Sequence, residues 1–368
     1  MTRLRLDKEA VAAAVVGGGV LGGGGGGSAD EGRRNGLLAV ELGAPELVDP
    51  EDLPGDAMVA TASAVGSPAA KTTYTLPVHF IRSIELLMKE GDVQLQGLVS
   101  SEVGGIAVTN GWVQAAALGL AVVDAPCNGR AHPISIQGAI GLHKVDSYVS
   151  LQAAIGGDPA HGRYLETFLR GKLQTISPLM PLISAQAGGM VAVGRNPVTV
   201  AYTREHAAVG AIKKAINVGQ AMLEKRGGRP IEMVEAACSV LGGEVVGRGR
   251  IADVKLETKG GLDVGTVRIE TGPRETLELT FWNEYMTLEA VDAAGATRRI
   301  ATFPDLMATF DSCTGMAVSS AMIATGQEVA VVAVPRQKLI LGAGVKDPEL
   351  LKPVEETVGK EVLKYVFG

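Results

Sequence analysis

The stretch "VQLQGLVSSEVGGIAVTNGWVQAAALGLAVVDAPCNGRAHP" (93–133) holds two short apolar runs, Val93 to Val99 and Leu120 to Asp124, around a helical run, Gly111 to Leu118. Upstream, the strand-like run Ala57 to Thr61 is followed by a helical run, Pro77 to Lys89, with Phe80, Ile84, Leu87 and Met88 along one face. Strand–helix–strand–helix–strand at this spacing predicts a parallel sheet with crossover helices. Ligands of such sheets bind beyond the carboxyl ends of the strands. Three loops share that edge: "SAVGSPA" (63–69), "SSEVGG" (100–105) and "DAPCNGRAHP" (124–133).

The last loop sets Asp124, Cys127, Arg130 and His132 directly behind an apolar strand. The plain alternative is a strand leaving the core into a polar turn, with Cys127 as a small apolar residue. Convergence with Glu102 from the neighbouring loop favours a site. Cys127 becomes a nucleophile if His132 or Arg130 lowers its pKa. Its spacing to Asp124 and His132 fits no standard zinc template.

The regions on either side complete the architecture. Residues 8 to 20 read as a helix capped by Asp7, running into "GGGVLGGGGGGS" (17–28). Runs of glycine contain GxGxxG, but here a helix and not a strand precedes them, which argues against a dinucleotide fingerprint. Bare backbone at Gly24 and Gly25 can still approach a ligand or form an anion nest. Glu205 to Leu223 and Pro230 to Leu241 read as helices, and "RIADVKLET", "DVGTVRIE", "TLELTFW", "YMTLEAV" and "EVAVVAV" as strands. The expected fold is α/β plus β: an N-terminal parallel-sheet domain (1–165) and a C-terminal domain (166–368). The latter divides into a helical connector (166–243), a β-rich part (244–345) and a terminal helix within 346–368.

A 368-residue chain with a formal charge of −6 carries no basic footprint for nucleic acid, and no Lys/Arg run marks a membrane surface. Three scattered cysteines, Cys127, Cys238 and Cys313, build no disulfide framework. The early arginines precede a stretch broken by Asp7, Lys8 and Glu9, so no signal peptide is read and a cytoplasmic location is expected. The expected partner is a small molecule, with the protein acting as a homo-oligomer.

Five motifs in order resemble the S-methyl thiohydantoin desulfurase-like family. They are Leu21 to Gly26 after the opening helix, "EVGG" (102–105), Asp124 with "GRAHP" (129–133), "NE" (Asn283, Glu284) and "PDL" (304–306). The resemblance implies a two-domain protein that replaces the methylthio group of a small heterocycle by water, as in ergothioneine breakdown. It leaves open a partner subunit or sensor of a hydantoinase- or oxoprolinase-type enzyme, and a metal-dependent cyclic amidohydrolase. No cofactor is required, with zinc as the alternative. Cys127, or water activated by Glu102 or Asp124, would attack, and His132 completes the catalytic set. Arg130, Gly24, Gly25, Gly104, Gly105, Asn283, Glu284 and Asp305 would bind substrate.

Overall fold

The computed structural model describes residues 3–66, 70, 72–259, 262–273 and 275–368. Two eight-stranded sheets are found among them. The first is built from β1 (Leu4–Arg5), β2 (Glu46–Val48), β3 (Met58–Gly66), β4 (Gly97–Ser100), β5 (Ala121–Val123), β6 (Ser150–Gly156), β7 (Leu165–Gly171) and β8 (Met190–Thr199), in the order β1-β2-β5-β4-β3-β8-β6-β7. β3, β4 and β5 run parallel as expected, and β2, a strand the sequence pattern did not give, extends them in parallel beside β5. β1, β8, β6 and β7 are antiparallel additions, so the sheet is mixed and not wholly parallel.

Around this sheet lie α1 (Lys8–Leu21), α2 (Ala29–Leu42), α3 (Pro77–Gly91), α4 (Trp112–Leu118), α5 (Leu173–Ile176) and α6 (Met180–Gln186). Asp7 caps α1, its Oδ1 accepting the Ala10 N–H at 2.8 Å. The helix is buried along most of its length because it is apolar nearly all round. Gly17 lets it close on a partner helix: a Cβ there would lie 1.9 Å from the Ala215 carbonyl oxygen.

Three helices follow: α7 (Val200–His206), α8 (Ala211–Glu224) and α9 (Pro230–Leu241). The expected single helix over 205–223 breaks at 207–210, where Gly210 (φ +87°) starts α8. The stretch 166–243 is also not a purely helical connector, because most of β7 and all of β8 lie in it and pair into the first sheet. Their sequences, "LETFLRG" and "MVAVGRNPVT", mix Gly, Asn and Pro into the apolar run and so mask the strand pattern.

The second sheet comprises β9 (Glu244–Lys259), β10 (Leu262–Glu270), β11 (Glu275–Trp282), β12 (Glu284–Asp292), β13 (Thr297–Thr302), β14 (Leu306–Asp311), β15 (Ala317–Val318) and β16 (Glu328–Val334). All its pairings are antiparallel. The terminal helix is two pieces, α10 (Pro348–Val358) and α11 (Leu363–Phe367), separated at Gly359 (φ +64°). One apolar core joins the domains: Ile84 and Leu98 of the first, Val11 and Ile212 of the helices, and Leu306, Phe310 and Val332 of the second belong to it. Among the described residues no helix is long and apolar enough to cross a membrane.

Candidate functional site

Parallel strands β3, β4 and β5 deliver their carboxyl ends to one edge, and a cavity of about 350 Å³ opens there. Its walls come from the end of β3, the loop after β4, the loop after β5, the glycine turn after α1 and the Asn283–Glu284 corner of the second sheet. Of the loop 63–69, residues 67–69 lie outside the described residues.

Glu102 and His132 meet in this cavity. Glu102 Oε2 accepts the His132 backbone N–H at 3.0 Å, and the ring Nδ1 of His132 lies 3.0 Å from the same oxygen. That second distance is one of an ion pair, but its angle is not that of a hydrogen bond, so Nδ1 has no aligned acceptor. The Glu102 backbone is pinned from behind, its carbonyl accepting the Ser100 hydroxyl at 2.6 Å.

Glu284 approaches from the second domain and is only 2% exposed. Its Oε1 accepts the Gly26 N–H at 3.3 Å, while Oε2 is buried with no hydrogen-bond partner. Burial, reinforced by the nearby Glu102 charge, pushes its pKa well above the carboxylate range, against the pull of Arg130. Glu284 therefore holds its proton to higher pH than an ordinary glutamate. The glycine turn makes this contact feasible, since a Cβ on Gly25 would lie 1.9 Å from Glu284 Oε1. The turn also binds both domains: Gly26 O accepts the Ile106 and Ala107 N–H groups, and Gly23 O accepts the Tyr285 N–H at 2.7 Å. Asn283 lines the cavity beside Glu284, and its own left-handed backbone (φ +53°) turns the corner into β12.

Several expected site residues sit elsewhere. Cys127 is wholly buried beneath the cavity, its Sγ 3.3 Å from Thr61 Oγ1 and its backbone N–H donated to the Ser100 carbonyl. Burial pushes its thiol up to about 11, the opposite of what a thiolate nucleophile needs. Asp124 points away from the edge and accepts the Ile212 and Lys213 N–H groups at 2.8 and 3.3 Å, capping the start of α8. Desolvation raises its pKa to about 6 in spite of those two hydrogen bonds.

Arg130 is a clasp and does not line the cavity. Its guanidinium donates to the carbonyls of Ala131, Pro304 and Asp305 and stacks 4.6 Å above the Phe303 ring. Burial lowers its pKa to about 10, with Glu284 opposing. Asp305 turns its carboxylate to Arg336 and to the Thr302 N–H. Gly24 packs on the Tyr285 ring, and Gly104 and Gly105 pack on the backbone of residues 26–29, so these glycines shape the wall without facing the cavity; Gly25 does face it.

One cavity residue carries no motif in the sequence. Arg195 of β8 is 3% exposed, faces the cavity and makes no hydrogen bond to any described residue. Its strand signal is hidden in "VAVGRNPVT", where an arginine between Gly and Asn reads as a turn. As for metals, among the described residues Glu102 and His132 find no third ligand within reach, whereas His143, Asp347 and Glu349 have ligand spacing. Asp347 Oδ2 there already accepts Lys144 Nζ at 2.6 Å, so an ammonium occupies the position a cation would take.

Fold and cavity together define a two-domain protein, one mixed α/β sheet and one antiparallel sheet, with a carboxylate from each meeting in the junction. The chain belongs to the S-Me-THD-like family: the N-terminal domain model of that family matches residues 9–159 and the C-terminal one residues 174–343. It is similar along its length to an X-ray crystal structure of a protein from Chromobacterium violaceum, with a TM-score of 0.71 and 19% identity over 98% of this chain and 97% of that one. At that identity the likeness speaks for the fold alone. The comparison with curated proteins gave no match.

Proposed function

We propose that the chain is a hydrolase of a small sulfur-bearing heterocycle, replacing a methylthio group by water, with Glu102 as base and Glu284 as acid. The observation that carries this reading is the pair of carboxyl groups in one cavity with unequal environments. Glu102, its side chain 16% exposed, accepts a backbone N–H, while Glu284 is sealed and holds its proton to higher pH than an ordinary glutamate. A carboxyl group raised by burial beside a second, more open carboxyl group is an arrangement acid–base hydrolysis uses. Membership of the S-Me-THD-like family supports the choice of a methylthio leaving group.

The electrophile is the amidine-like ring carbon that bears sulfur. Water adds to it as Glu102 takes one water proton and Glu284 gives its proton to the ring nitrogen. Collapse of the tetrahedral centre breaks the carbon–sulfur bond, and the electron pair leaves with sulfur. The thiolate takes the proton held by Glu102, and the new hydroxyl returns its proton to Glu284 as the carbonyl forms. His132, against Glu102, orients that carboxylate, and Asn283 borders the reacting edge.

The test is turnover of an S-methylated thiohydantoin by the purified chain, followed as thiol release. Glu102→Gln and Glu284→Gln should each lower kcat by roughly 10²–10⁴-fold, the usual share of a general base or acid. A protonated Glu284 implies that the rate falls as pH rises through its elevated pKa. Wild-type rates in both variants would overturn the assignment, and zero turnover by the wild type would overturn the reaction.

A further inference from the structure

A β-sheet ends in two edges, and a folded protein normally blunts them with short strands, bulges or charges. Three of the four sheet edges here are treated so. β1 and β15 are two residues long, and β13 carries two adjacent arginines, Arg298 and Arg299, and a bulge in its pairing with β12. β7 is the exception. It runs seven residues, "LETFLRG", contains no proline and pairs with β6 in unbroken register. Among the described residues no strand lies beyond it, and it makes no backbone hydrogen bond outside its ladder with β6.

The order of its side chains says what can lie there. When two copies of one strand pair antiparallel in full overlap, the middle residue meets its own copy and the rest pair symmetrically about it. For β7 the centre is Phe168, so Glu166 faces Arg170 of the second copy, Arg170 faces its Glu166, and Thr167 faces its Leu169. Cross-strand partners share a face, which puts both ion pairs on the side where Arg82 of α3 reaches Glu166. The Glu166 carboxylate is already held in place, accepting Arg82 Nε at 3.2 Å and the Tyr164 hydroxyl at 2.6 Å, and a carboxylate has room for a further donor. Arg170 is exposed and has one long hydrogen bond among the described residues, to the Glu90 carbonyl at 3.5 Å. Phe168 is half-buried against the core, so its open part can meet the same ring of a second copy. A foreign strand could use the backbone, but this symmetric order of charge fits a second copy of this chain.

We propose that two copies of the chain join edge to edge through β7, continuing the first sheet across a two-fold axis. Such an interface is isologous, and each of its two ion pairs takes one charge from each copy. Main-chain hydrogen bonds supply the pairing, and the charges fix its register. β7 runs through Lys172 into α5, whose Gln174 lines the cavity, so the joined edge is continuous in chain with that wall. The pairing does not depend on the reaction proposed for the cavity.

The test is sedimentation velocity of the intact protein over a series of concentrations. Wild type should sediment as a dimer. Glu166→Arg and Arg170→Glu each turn two attractive pairs into two repulsive ones, and each should weaken the dimer by at least about tenfold. The double variant Glu166→Arg/Arg170→Glu exchanges the charges and should recover the dimer. An equimolar mixture of the two single variants should form a mixed dimer, since one edge is then all basic and the other all acidic. Circular dichroism checks folding, and should Glu166→Arg fail to fold, Arg170→Glu against wild type carries the test because Arg170 is exposed. A monomeric wild type overturns the pairing, as does a dimer that neither reversal weakens, or folded single variants that stay monomeric when mixed.

Discussion

Two arginines are sealed in this protein to nearly the same degree, one in the loop after β5 and one in the bulge of β8, and their surroundings are opposite. Arg130 gives its protons to three carbonyls and lies on an aromatic face. Arg195 gives its protons to no described residue and faces a cavity. The first is a fastener between the domains; the second is an unspent interaction. Burial alone separates neither from the other, and only the count of satisfied donors does.

The largest test of this contrast is Arg130→Met. It strips the Pro304 and Asp305 carbonyls of their donor and removes a bond across the junction, so unfolding free energy should drop by about 3–5 kcal/mol in a denaturant titration. A loss no greater than that of Arg195→Met would erase the distinction.

Asp124 sharpens it from the other side, as a carboxylate with partners that is still expensive to charge. Its folded pKa of about 6 exceeds the usual value of 3.8, so the folded state binds the proton more tightly. The associated stability is present below about pH 4 and is lost as pH rises through 6. Denaturation of wild type should therefore show a decline, relative to Asp124→Asn, of about 3 kcal/mol between pH 4 and 7. Parallel stability curves for the two proteins would show that the helix-cap hydrogen bonds cancel the desolvation.

Cys127→Ser should do least. Among the described residues the thiol's one side-chain hydrogen-bond partner is a threonine hydroxyl, and it does not line the cavity, so the rate should stay within about threefold and stability within about 1 kcal/mol. A hundredfold loss of rate with unchanged melting would return the thiol to the mechanism.

The parallel half of the first sheet could be read from the chain because its strands are apolar on both faces and its helices amphipathic. The strands β6, β7 and β8 escaped because "SLQAAIG" is rich in Ala and "MVAVGRNPVT" contains a bulge, and neither shows a clean period. Within the site, Glu102, His132, Asn283 and Glu284 stood out by motif and do share the cavity. Asp124 and Cys127 were misplaced for one reason: in a loop leaving a strand, sequence does not say which side chains turn inward. Asp124 faces the first turn of a helix, at Ile212, 88 residues away along the chain. Arg195 was invisible because its meaning is a lack of partners, which no local pattern records.

The hydrogen bond from Gly26 to Glu284 closes a loop of 258 residues, and this has a consequence for the order in which the protein becomes competent. During synthesis the first sheet can place Glu102, His132 and Arg195 while Glu284 is still untranslated. Contacts of such sequence separation form late, because chain entropy must be overcome before they reward it. An emerging N-terminal half thus holds one of the cavity's two carboxyl groups but not the buried one. The cavity is complete only when the Asn283–Glu284 corner closes over the glycine turn, so any chemistry proposed for it would report completed assembly.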